Sequence, residues 1–161
     1  MKDLTKKRLK RAGWLLFYIY IIMLSYFLFF SEHYGRGYAV ENYRYNIQFF
    51  KEIKRFILYR EQLGIESFIV NILGNIVAFT PFGFLLPLIH KKYRGFLRIM
   101  FLSLLFSLTV ETIQLYLKVG IFDVDDLLLN TVGGSLGYIF FAICHVFYRS
   151  LNHKQKVKRG I

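Results

Sequence analysis

The chain has 161 residues, of which 55% are hydrophobic and 19% aromatic, and it carries a formal charge of +12. Its apolar residues come in nearly uncharged blocks rather than alternating with polar ones, which excludes an ordinary soluble domain built around one core. The basic excess has no nucleic-acid recognition motif beside it, which argues against nucleic acid as a partner.

Lys2, Lys6, Lys7, Arg8, Lys10 and Arg11 precede the first apolar block, and the spacing predicts a spanning helix over about 12–31. That block is too long for a cleaved signal peptide and lacks a small-x-small cleavage pattern, so it is expected to stay as an uncleaved anchor. Trp14, Tyr18, Tyr20 and Tyr26 supply interfacial rings. Residues 32–66 form a loop, expected to lie outside the cell. Within it, about 46–62 is predicted to be an amphipathic helix, with Phe49, Ile53, Phe56 and Ile57 at helical spacing. Such a helix can lie among lipid headgroups or cover the bundle as a lid.

The second span is predicted over about 67–89. Pro81 removes a backbone donor there and should bend the helix, while Gly74, Ala78 and Gly83 permit close packing. His90 to Gly95 makes a tight turn. The third span is about 96–118, and the fourth about 127–148 follows a short loop. Gly133, Gly134 and Gly137 in the fourth include a Gly-xxx-Gly step, which in a membrane helix marks close approach to a neighbour. The lone Cys144 has no partner for an intramolecular disulfide and is expected to act as a small hydrophobe. Nothing divides the chain, so residues 1–161 are expected to form one all-α polytopic membrane domain.

Charge sets the expected orientation. The N-terminal segment, the connection of the second and third spans through Arg98, and the C-terminal tail hold 15 of the 22 basic residues and one acid, Asp3. By the positive-inside rule these regions, and hence both termini, are expected in the cytoplasm.

The candidate site lies in polar residues inside the spans. Asn71 and Asn75 share a face at i,i+4, and Glu111 and Gln114 at i,i+3; Asp126 and Asn130 again stand four apart. At about 1.5 Å per residue, the intramembrane members lie roughly 5 to 12 Å below the outer ends of their helices. Asp123, Asp125 and Asp126 stand at the rim. Asparagine and glutamine can simply bind helices together, but a carboxylate is costly in hydrocarbon unless neutral, paired or hydrated, or bound to a cation. Asp125 or Asp126 can cap the fourth helix, and one acid suffices for that. Asp123-Val-Asp125-Asp126 lacks the glycine and terminal glutamate of a calcium loop, so no metal site is assigned. The sequence specifies no cofactor.

These elements together resemble the VanZ-like membrane proteins. Asn71-Ile-Leu-Gly-Asn75-Ile-Val-Ala-Phe-Thr-Pro81-Phe82-Gly83 is similar to their N-x-x-x-N…F-x-P-F-G element. Glu111-Thr-Ile-Gln114 matches E-x-x-Q, and Asp123 to Gly134 matches D-x-x-D-x-x-x-N-T-x-G-G. Asn46-Ile-Gln-Phe49-Phe50 only partly matches the family's N-L-x-P-F, with Phe49 in place of proline. The resemblance implies a bacterial cytoplasmic-membrane protein of a class associated with resistance to teicoplanin-type glycopeptides. The lead expectation is an outward-facing polar cleft that binds a cell-wall precursor, a lipid headgroup or a lipid-tailed glycopeptide at the outer leaflet. The alternatives are an acid- or metal-assisted hydrolase or transferase on a lipid-linked substrate, and an accessory subunit of a membrane complex.

Overall fold

The computed structural model describes residues 2–30 and 43–158. In chain order it contains α1 (Lys2–Phe30), β1 (Tyr45–Asn46), α2 (Lys51–Leu58), α3 (Arg60–Leu63), α4 (Ile65–Phe68), α5 (Gly74–Ile89), α6 (Phe96–Leu117), β2 (Phe122–Asp123) and α7 (Val124–Lys158). Among the described residues, four helical stretches are long and apolar enough to cross a membrane: Lys10–Phe30, Ile69–Ile89, Phe96–Leu117 and Val124–Leu151. The shortest, at 21 residues, extends about 32 Å, enough for a hydrocarbon core of ~30 Å.

The glycines set the bundle's closest contact, α5 on α7. A Cβ added at Gly83 would overlap the backbone of Gly134; at Gly133 it would meet the carbonyl of Ile76, and at Gly137 that of Thr80. Gly134 also faces α6, where a Cβ would strike the Ser103 hydroxyl. Aromatic packing fills the other seams. Phe82 stacks on Phe106 at 4.7 Å, and Phe17 of α1 lies 6.1 Å from Phe82. Helix α1 is the peripheral member, anchored by Leu24 and Leu28 and by the Tyr20 hydroxyl, which donates to the Ala78 carbonyl at 2.8 Å.

Helix α5 continues through both Pro81 and Pro87. Just before it, Ile69–Leu73 forms a π-helical turn, closed by the Gly74 N–H donating to the Ile69 carbonyl. The expected amphipathic helix over 46–62 is broken into pieces. Asn46 belongs to β1, and the helical run is interrupted at Tyr59 and again at Gly64, whose φ of 83° is left-handed. The short β1 pairs in parallel with β2, Tyr45 beside Phe122 and Asn46 beside Asp123. This ladder sits where α6 ends and α7 begins. At the opposite end, Arg94 ties the α5–α6 turn down, donating to the Pro87 carbonyl at 3.2 Å and lying 3.3 Å from His145 Nε2 of α7.

Candidate functional site

The three rim aspartates have three different partners. Asp123, in β2, accepts the N–H of Asp125 at 2.8 Å and so caps the start of α7. Both of its oxygens also receive the Asn46 amide, at 3.2 and 3.3 Å. Asp125 points the other way. Helix α2 starts after Phe50, a residue with no side-chain oxygen and a left-handed φ of 62°. Asp125 supplies the missing cap from across the fold, accepting the N–H groups of Phe50, of Glu52 at 2.9 Å and of Ile53 at 3.2 Å. Capping of α7 therefore falls to Asp123, while Asp125 holds α2 onto the bundle. Asp126 accepts the Asn75 side-chain amide at 2.6 Å, joining α7 to α5.

Glu111 lies one layer deeper, 3% exposed, and its carboxylate accepts the backbone N–H of Asp123 at 3.2 Å. Beyond it, the buried residues Ser107 and Ser103 continue the same face of α6 at four-residue steps. Asn130 of α7 donates to Ser107 Oγ at 2.9 Å. Among the described residues, Asn130 Oδ1 and Ser103 Oγ are buried without a hydrogen-bond partner. Gln114 donates to the Leu28 carbonyl at 2.8 Å and fastens α1 to α6.

A cleft of about 280 Å³ opens at the ladder end of the bundle. Asn71, Asp123 and Asp126 line it together with Arg44, Asn46, Glu52, Arg55 and Asp125. Its walls carry the four carboxylates of Glu52, Asp123, Asp125 and Asp126 against two guanidiniums, and Glu52 is paired with Arg55 at 3.0 Å. Burial raises the Asp123 carboxyl above its ordinary value of 3.8, aided by the neighbouring Asp125 charge; the donated hydrogen bonds and Lys51 oppose the rise. Of the seven residues expected in one site, three line the cleft and Asn75 is bonded to one of them. Glu111 lies behind Asp123, whereas Gln114 and Asn130 are turned into helix contacts and are not among the cleft's walls. No group of three or more His, Cys, Asp or Glu that could hold a metal occurs among the described residues.

Sequence reasoning missed Asn46, Ser103 and Ser107 as partners and the role of Asp125. The serines were readable: Ser103, Ser107, Glu111 and Gln114 form one stripe at helical spacing. The Asn46–Asp123 pairing spans 77 residues of sequence and has no local signal.

A comparison with protein families matches residues 17–145 to the family described as VanZ/LLP1. The chain belongs to that family. It is also 35% identical, over 85 residues, to Protein VanZ of Enterococcus faecium. That match covers 53% of this chain and 50% of the relative, so the chain spans about half the length of that curated relative. No solved structure matches. The four apolar helices and the bacterial relative point to a multi-pass bacterial membrane protein.

Proposed function

We propose that this VanZ-like protein acts at the outer leaflet of the bacterial cytoplasmic membrane. In this reading both termini are cytoplasmic and the ladder end faces outward. The polar cleft binds a lipid-linked cell-envelope ligand, and the protein contributes to resistance against teicoplanin-type glycopeptides. The observation that carries the reading is the Asn75–Asp126 bond at the cleft, with Asn71, Asp123 and the deeper Glu111 around it. Interhelical hydrogen bonds stabilise membrane bundles by only about 1 kcal/mol each, whereas a carboxylate within a span carries a cost that packing alone does not require. The charge distribution supports the orientation, since the basic segments lie at the end opposite the cleft.

The test is activity at constant abundance. Glu111→Gln preserves shape and removes only the charge and the titrating proton. Asn75→Ala removes one amide at a packing cost of about 1 kcal/mol. Both variants should lose glycopeptide protection in a susceptible host while their membrane levels stay near those of the parent. Protection that falls only in step with protein level would return these residues to a packing role.

A further inference from the structure

At the end of the bundle opposite the cleft, one guanidinium is held in place and still has donors to spare. Arg94 donates its Nε–H to the Pro87 carbonyl at 3.2 Å. Its Nη1 lies 3.3 Å from His145 Nε2, and the imidazole must accept, because a guanidinium has no acceptor. Its Cζ stands 5.5 Å from the centre of the Phe141 ring, on which His145 is stacked at 5.6 Å. These two hydrogen bonds use two of the five N–H groups a guanidinium carries. Pro87, Phe141 and His145 thus fix the group before any ligand arrives, which lowers the ordering cost of binding one.

The charge of Arg94 is not alone. Arg149 and Lys91 act on the same imidazole, so three positive charges converge on His145. Asp3 is the only acid in the segments at this end. Gly13 of α1 packs against Ile89, and Asp3 lies about 15 Å of helix further out. Like charges gathered in this way repel one another, and an anion among them relieves the repulsion.

The level of the cluster narrows the anion. His145 lies within the span Val124–Leu151 and Pro87 within Ile69–Ile89, so the guanidinium sits where hydrocarbon gives way to headgroups. Leu88, Phe96 and Leu97, on either side of the turn, are exposed. A free anion would meet the charges and leave these residues bare. A phospholipid brings a phosphate to this level with its acyl chains beside them. A zwitterionic head would add a fourth cation to the cluster, whereas an anionic head adds none.

We propose that Arg94, Lys91 and Arg149 seat the phosphate of an anionic phospholipid in the leaflet at this end of the bundle. Arg94 gives the seat its geometry, since a planar fork matches two phosphate oxygens at once. Lys91 and Arg149 add charge. The proposal is independent of the reading of the cleft.

The full chain in detergent is titrated with phosphatidylglycerol or phosphatidylcholine, and bound lipid is counted by native mass spectrometry. Each Lys or Arg near a lipid headgroup contributes about fivefold, so the tightest-bound lipid should favour phosphatidylglycerol by roughly 100-fold. Arg94→Gln should cut that preference by about fivefold or more, and Lys91→Gln/Arg149→Gln by roughly 25-fold. Lys91 and Arg149 are exposed, so the double variant keeps the fold even where Arg94→Gln loosens the turn. Lys7→Gln/Arg8→Gln removes the same charge from exposed positions further out on α1 and should leave most of the preference. Millimolar inorganic phosphate should not displace the lipid. Equal binding of the two lipids, an equal loss in both double variants, or displacement by inorganic phosphate would each overturn the proposal.

Discussion

Replacing Asp125 by alanine should release α2 while leaving the four long helices packed. Asp125 is 1% exposed and accepts three backbone N–H groups at the start of α2. The helix is eight residues long, too short to hold itself together, and Phe56 is its buried anchor. Hydrogen bonds to a charged acceptor contribute about 1.5–3 kcal/mol each, and loss of an N-cap costs about 1–2 kcal/mol. The exposed first turn can recover part of that from water, so the net cost is about 2–4 kcal/mol, charged almost entirely to α2. That shifts the opening equilibrium of α2 by roughly 30- to 700-fold. Hydrogen exchange on the detergent-solubilised protein reads it directly. Residues 51–58 should lose protection in Asp125→Ala and less in Asp125→Asn, which keeps one oxygen. Unchanged protection over 51–58, or loss spread evenly over α5, α6 and α7, would refute the capping account.

Gly83→Ala should destabilise the bundle by about 1–3 kcal/mol or more, because its Cβ would meet the Gly134 backbone, which has no flexible end to move; Gly74→Ala, in open space, should be neutral or stabilise by up to about 1 kcal/mol, and thermal unfolding in detergent separates the two. The raised Asp123 carboxyl binds its proton more tightly folded than unfolded, so its contribution is full below the ordinary value of 3.8 and is lost as pH rises through the raised one. The difference in unfolding free energy between the parent and Asp123→Asn should therefore change across that window, and a flat difference would remove burial as the dominant cause. For orientation, a cysteine at Tyr45, which is 68% exposed, should be labelled in intact cells once Cys144 is replaced, whereas buried Asp125 is a poor reporter. Labelling of position 45 only after lysis would reverse the orientation.

The spans were legible because each writes its signal locally. Uninterrupted apolar blocks placed the second and third within about two residues of the helices found, Ile69–Ile89 and Phe96–Leu117. Gly83, Gly133, Gly134 and Gly137 were legible for a similar reason, since a residue with no side chain inside a membrane helix marks a contact. The polar residues announced themselves by cost, but their pairing depended on how the helices turn against each other. Asn75 meeting Asp126 and Asn130 meeting Ser107 follow from the register of α7 on its neighbours, which no single helix encodes. Asp125 is the clearest case. Its role answers a deficiency 75 residues away, a helix start at Phe50 with nothing to cap it. The sequence carried half of that clue in its three rim aspartates, where capping α7 requires only one.

The central claim, that the polar set at the cleft serves a ligand and not merely the packing of helices, is tested most directly by Asp126→Asn. The substitution keeps an oxygen that can still accept the Asn75 amide, now 2.6 Å from Asp126 Oδ1, and removes only the charge. The measurement is glycopeptide protection per molecule of protein in the membrane, determined for parent and variant in the same susceptible host. The account predicts normal abundance with protection abolished. Protection per molecule equal to the parent's would contradict it.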